Sequence, residues 1–227
     1  MKKMLIFVLL IFGFVGSAHA TSFTFYGEAN DGVGSANMNI AISGNILTLT
    51  LDNTSPITLE SPLTGDNAPA ITGFGFNLSN GPSVSSWSLV AYDRVSASNI
   101  TIGSSSGSGL WTLGTTQSGV TLDYLDYLQN VQGGLYNPLA YENLAAEPNY
   151  FTTATLVINF DSAPVLEMIP QNFGSGISGI TYVRMQNVGQ NGAGSLKLPN
   201  TVPEPFSMLL LGLGLVGLAG VGRKLKK

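Results

Sequence analysis

The chain contains no cysteine and a single histidine, His19. Without cysteine no disulfide can staple the fold and no thiol can act as a nucleophile, so a folded body has to rest on its hydrophobic core. His19 lies in an N-terminal segment read below as an export signal, which leaves residues 21–200 without an imidazole. That excludes His-dependent catalytic triads and His-ligated zinc from the body. Charge is scarce as well, at 10% of residues, but hydrophobic residues reach 44%, which favours a packed domain over a disordered chain. Positive charge is the rarest commodity between residues 21 and 200, where only Arg94, Arg184 and Lys197 are basic. Of the 13 Asp and Glu in the chain only Glu204 lies outside that stretch, leaving twelve inside it. So acidic a body argues against binding nucleic acid, whose phosphates need clustered Lys or Arg, and against electrostatic adhesion to anionic lipid.

What is present is clearest at the two ends. Met1-Lys2-Lys3 is a short basic region and Met4–Val15 an apolar core too short to span a bilayer comfortably. Ala18 and Ala20 then place small residues at −3 and −1 of a cleavage site, so that the mature chain would begin at Thr21. Residues 1–20 therefore read as a secretory signal peptide, implying Sec-type export machinery and signal peptidase as partners; an uncleaved anchor is the competing reading. At the other end, Pro203-Glu204-Pro205 precedes an uncharged stretch, Phe206–Gly222, followed by Arg223-Lys224-Leu225-Lys226-Lys227. As a helix that stretch would rise roughly 25 Å, near the lower limit for spanning. The basic stop formed by Arg223, Lys224, Lys226 and Lys227 is expected to stay cytoplasmic, which puts the body outside the inner membrane.

The order of Pro-Glu-Pro, Gly-rich span and basic stop over about the last 26 residues resembles the PEP-CTERM sorting domain of Gram-negative bacteria. The resemblance implies processing by exosortase, an intramembrane transpeptidase-like protease, and delivery to the cell surface or exopolysaccharide matrix, often in biofilm-forming species. Gly212, Gly214, Gly217, Gly220 and Gly222 each weaken a helix by up to about 1 kcal/mol relative to Ala, which suits a span that a membrane protease must unwind. No two of them are four apart, so the G-x-x-x-G dimerisation pattern is absent. Upstream, Leu198-Pro199-Asn200-Thr201 resembles the start of a Gram-positive sortase signal, but Val202 stands where that signal has Gly.

Between the ends, short alternating runs are separated by turn residues, the pattern of an all-β antiparallel sandwich of jelly-roll type. Expected strands are Ser22–Glu28, Asn37–Ser43, Ile46–Asp52, Ile71–Leu78, Ser85–Ala91, Leu110–Thr115, Ala154–Asp161 and Ile180–Asn187. A two-residue turn at Gly44-Asn45 pairs Ile42 with Leu47, Ile40 with Leu49 and Met38 with Leu51, all apolar and on one face; a one-residue slip would destroy that match. The three-residue spacing of Leu122, Leu125, Leu128 and Val131 before Gly133-Gly134 suggests a short helix or helical loop. Gly103–Gly109 reads as a surface loop joining strands, and Gly189–Thr201 as a spacer before the tail. The domain plan is signal peptide 1–20, sandwich body with spacer 21–200, and sorting tail 201–227 with its single hydrophobic helix.

The candidate chemistry in the body is sparse. Asp123 and Asp126 would share a helical face, as a Ca²⁺ or acid–base pair or simply as a solvated acidic face. Asp52, Glu60 and Asp66 with Asn53 and Asn67 form an oxygen-rich region without D-x-D-x-D-G spacing, a weak Ca²⁺ signal; no other metal or cofactor is implied. Trp87 and Trp111, helped by Tyr92, Tyr136 and Tyr141, are candidates for a sugar-stacking platform; the competing reading places both tryptophans in the core. Asn53, Asn77 and Asn99 begin glycosylation sequons, expected by chance in so Asn/Ser/Thr-rich a chain. A glycosidase needs only two suitably separated carboxylates, and no motif selects a pair. These readings converge on an exported, non-catalytic structural or binding component of exopolysaccharide. The alternative is a carbohydrate-binding module or carbohydrate-active enzyme on the same scaffold.

Overall fold

The structure is a computed structural model. It describes residues 19–56, 67–107, 109–116, 119–124, 133–138, 151–174, 177–189 and 192–200. These residues form strands β1 (His19–Ala29), β2 (Gly32–Ser43), β3 (Ile46–Asn53), β4 (Ala70–Asn77), β5 (Val84–Asp93), β6 (Ser98–Ser104) and β7 (Trp111–Thr116). The chain continues through β8 (Gly119–Tyr124), β9 (Leu135–Tyr136), β10 (Phe151–Phe160), β11 (Gln171–Gly174), β12 (Ile177–Gly179), β13 (Thr181–Val188) and β14 (Gly194–Asn200).

The β2–β3 hairpin forms in the expected register, Met38 opposite Leu51, Ile40 opposite Leu49 and Ile42 opposite Leu47. Gly44 has φ +56° and Asn45 is not among the positive-φ residues, the signature of a II′ turn with Gly first. β3 pairs onward with β10, which pairs on its other side with β5, and β5 with β6. One layer is therefore β1-β2-β3-β10-β5-β6. The facing layer is β7-β8-β4-β13-β14. The short β9 touches both β4 and β10, so twelve strands join in one hydrogen-bonded network. Apart from the single β9–β10 pair every ladder is antiparallel, and β11 and β12 form a separate hairpin. The network is nearly closed into a flattened barrel. At one side Asn200 Nδ2 of β14 donates to the Thr24 carbonyl of β1 at 2.8 Å. Gly27 permits this approach, since a Cβ there would collide with the Leu198 side chain. At the other side, Gly103 and Gly109 bridge as the chain turns from β6 into β7.

Alternation puts Phe23 and Phe25, Met38 and Ile40, Leu47, Leu49 and Leu51, and Leu156 and Ile158 on the inner face of the first layer. They meet Phe74, Phe76, Leu122, Val183 and Met185 of the second in one core. Burying each large apolar side chain contributes about 1.5–3 kcal/mol, which is how a chain without disulfides holds this shape.

Two expectations are corrected. Leu122, Asp123 and Tyr124 end strand β8 rather than begin a helix, because Leu122 is fixed between Phe74 and Leu113 in the ladders; cross-strand burial overrides the three-residue spacing. The rest of that stretch, Leu125–Val131, lies outside the described residues. The spacer after Gly189 is mostly strand, since Gly194–Asn200 is β14, with Leu196 and Leu198 turned inward on either side of exposed Lys197. Pro199 is tolerated there because β14 pairs only with β13, so its missing N–H interrupts no second ladder.

Candidate functional site

The residues expected to direct sorting fall mainly outside the described residues: Ala18, the motif Pro203, Glu204 and Pro205, the span 206–222, and Arg223, Lys224, Lys226 and Lys227. What the structure shows is where the tail is rooted. Thr181 opposes Asn200, and the Ile180 N–H donates to the Asn200 carbonyl at 2.7 Å. Together with the Asn200–Thr24 hydrogen bond, these contacts hold the last body residue between β13 and β1. Only Thr201–Pro205 separate that residue from the start of the apolar stretch at Phe206. The other end of the body starts nearby in the fold: Ala20 is exposed opposite Ala41, and Thr21 is buried opposite Ile40. Both junctions thus belong to the end of the barrel that carries the Gly44-Asn45 turn, called the root pole here. Leu198 and Asn200 of the sortase-like tetrapeptide are fixed in β14, and Leu198 is buried.

The two tryptophans do not form an exposed pair. Trp111 is 2% exposed and packs at 5.7 Å, ring centre to ring centre, on Phe74. Trp87 is half-buried against the same core. A stacking platform needs ring faces open to a ligand, and Trp111 offers none. Tyr136 is buried, Tyr92 is exposed, and Tyr141 lies outside the described residues.

The oxygen-rich region turns inward. Asn53 is buried; its amide donates to the carbonyls of Pro69 and Leu135, and its oxygen accepts from the Ser55 N–H. Asn67 donates to Val33 and Pro56 and accepts from the Gly189 N–H at 2.9 Å. Both side-chain oxygens are therefore engaged by backbone rather than free for a cation. Glu60 and Asp66 lie outside the described residues, and among the described ones no group of three His, Asp or Glu converges. Burial also removes Asn53 and Asn77 as glycan acceptors.

Asp123 sits on the outer face of the second layer, where Gly73 separates it from Arg184 on β13. Burial pushes its carboxyl above the usual 3.8, and the Arg184 charge opposes the rise. Next along the same face, Tyr182 packs across Gly75 and tilts against Phe173 at 4.8 Å. Burial raises the Tyr182 phenol, with the Asp123 charge adding to it. Asp126, the expected partner of Asp123, lies outside the described residues. Other carboxylates bond groups of the body itself: Asp93 accepts from Val95 and Ser96 in its own turn, Asp161 from neighbouring Ser162 and from the Ser83 N–H just before β5, and Glu167 from the Ile169 N–H. A groove of about 400 Å³ at the root pole is lined by Leu78, Pro82, Val84, Thr115 and Val120 among others, and no titratable side chain is among the described residues of its wall.

Sequence inspection missed this root pole and the strand that forms it. The available signal was the alternation Leu196-Lys197-Leu198, which is too short to stand out beside the neighbouring glycines.

No curated protein and no solved structure matches the chain. Among the described residues no helix is long and apolar enough to cross a membrane. Residues 201–224 match the family model of the PEP-CTERM protein-sorting motif, and they begin immediately after the last residue of β14. The chain thus carries a PEP-CTERM protein-sorting motif, which implies an exported precursor, anchored through its tail, with exosortase as its processing partner.

Proposed function

We propose that the body is a non-catalytic structural or binding component that exosortase releases from the inner membrane to the cell surface or the exopolysaccharide matrix. The observation that carries this reading is the rooting of the sorting tail directly on β14, which makes the barrel a compact cargo only five residues from the apolar stretch of its address. The use of Asp93, Asp161 and Glu167 as acceptors for backbone N–H groups and the internal position of Trp111 support a passive body over a sugar-processing one. Signal peptidase acts first in this reading. The bond between Ala20 and Thr21 lies within the β1–β2 ladder, so cleavage precedes the docking of β1.

The test is extraction of the host's extracellular polymer, with and without exosortase. The protein is expected to co-purify with polymer from exosortase-positive cells, to stay with membranes in exosortase-negative cells, and to show no turnover of that polymer. Turnover abolished by replacing one particular Asp or Glu would overturn the non-catalytic reading. A released protein that never associates with polymer would overturn the matrix assignment.

A further inference from the structure

The chain linking β10 to β11 presents three large apolar side chains to solvent: Val165, 53% exposed, Met168, 38%, and Ile169, 65%. They are not on a frayed loop. The Ser79 N–H donates to the Val165 carbonyl, the Val165 N–H to Asn80 Oδ1, and the Glu167 N–H to the Asn77 carbonyl, at 2.9–3.1 Å. Asn80 Nδ2 reaches the Ala163 carbonyl at 2.7 Å, and Leu166 bridges to Leu78. With the backbone pinned through Glu167 on one side and by the Gln171–Gly179 pair on the other, and with Leu166 packed against the core, the exposed side chains at 165, 168 and 169 sit on an anchored segment. Ile46, beside the Gly44-Asn45 turn, is a fourth exposed apolar residue at the same end.

This patch lies at the root pole. Glu167 bonds to Asn77, Asn77 Nδ2 donates to the Gly179 carbonyl at 3.2 Å, and the adjoining Ile180 bonds to Asn200. Neighbouring strands are about 4.8 Å apart, so the patch is a few strand spacings from the residue where the tail leaves. From Asn200 to Phe206 the chain can extend on the order of 20 Å at most. An anchored precursor therefore keeps this pole close to the lipid surface. The far pole, where Val95 sits in the β5–β6 turn, is separated from it by the length of β5, about 30 Å.

We propose that in the anchored precursor Val165, Met168 and Ile169 dock into the interfacial region of the outer leaflet of the inner membrane. The docking fixes the tilt of the barrel and presents the Val202–Pro205 segment at the membrane plane for exosortase. Apolar insertion, not charge, drives it, because the body carries almost no cations and Asp161 and Glu167 flank the patch. The proposal rests on the tail acting as an anchor.

The chain has no cysteine, so one introduced thiol takes one label. Ile169→Cys and, as the far-pole control, Val95→Cys are placed in the full chain expressed with its own signal. Each is labelled with an environment-sensitive fluorophore and reconstituted into zwitterionic phosphatidylcholine–phosphatidylethanolamine vesicles. Flotation reads the anchor, and quenching by nitroxide-labelled lipid reads the docking. The expected result is flotation of both proteins, with several-fold stronger lipid quenching at position 169 than at 95. Adding Val165→Ser and Met168→Ser should reduce the quenching at 169 to the level at 95 without changing the melting temperature. Flotation with equal quenching at both positions would overturn the docking and leave the anchor intact; failure to float would overturn the anchor and the docking with it. A label at 169 untouched by lipid quencher but shielded when exosortase is co-reconstituted would replace the lipid surface with a protein partner, and so overturn the proposal.

Discussion

The two poles of the barrel solve opposite problems. At the far pole, loops are tied inward by buried polar side chains: Asn53, Ser55 and Asn67 are all buried, and Asn137 donates to the Ser55 carbonyl. These side chains supply backbone groups that leave the ladders with the partners they need, and the Ser55 hydroxyl also accepts from the Ser35 N–H and donates to the Ser35 carbonyl. At the root pole the backbone is pinned as firmly, but four aliphatic side chains, Ile46, Val165, Met168 and Ile169, point out, against Val95 alone in the β5–β6 turn of the far pole. The difference teaches that polar and apolar character here follow what each end must do. One end has to close itself with few charges and no disulfide, whereas the other carries the tail.

Removing a far-pole amide should have the largest effect. Asn53→Ala leaves the carbonyls of Pro69 and Leu135 without their donor and the Ser55 N–H without its acceptor, and should cost about 3 kcal/mol by urea unfolding. Asn53→Asp keeps the acceptor but sets a carboxylate against two carbonyls, and should be at least as damaging. By contrast, replacing Val165, Met168 and Ile169 together by Ser should change stability by no more than about 0.5 kcal/mol, because all three are exposed. Equal losses at the two poles would break the comparison.

A subtler contrast appears in acid. Burial acts upward on Asp161, but hydrogen bonds from Ser162 and Ser83 outweigh it and hold the carboxyl below the usual 3.8. Its contribution is therefore present above that value and lost as pH falls below it. Asp123 is shifted the other way, so its charge opposes folding at neutral pH, and stability from this group rises as pH falls through the raised value toward 3.8. Melting temperatures followed through the acid range should lose the low-pH decline in part with Asp161→Asn, and lose the gain just above 3.8 with Asp123→Asn. Parallel profiles for the two variants would contradict these assignments.

Much of the barrel could be read before the structure, and the reasons are local. The β2–β3 register followed from three apolar pairs and a Gly turn, and the inner face of β10 from the alternation of Ala154, Leu156, Ile158 and Phe160. Strands that carry little alternation of their own were missed. β6 runs Ser-Asn-Ile-Thr-Ile-Gly-Ser, and β14 has Gly at its start and Pro near its end; both depend on neighbours distant in sequence. The inward turn of Asn53 and Asn67 was illegible for the same reason, since an asparagine in a polar stretch looks alike whether it faces solvent or a carbonyl 82 residues away. Trp111 could be read either way until Phe74 was placed beside it. The sorting tail needed no such context, because its motif, span and basic stop are contiguous.

The central claim is that the tail is an address removed after export. Intact mass of the protein from exosortase-positive host cells tests it most directly. A chain that begins at Thr21 and lacks Phe206–Lys227 is the predicted result. A chain that still carries Lys227 and resists release from the inner membrane would contradict it, and would make the tail a permanent anchor.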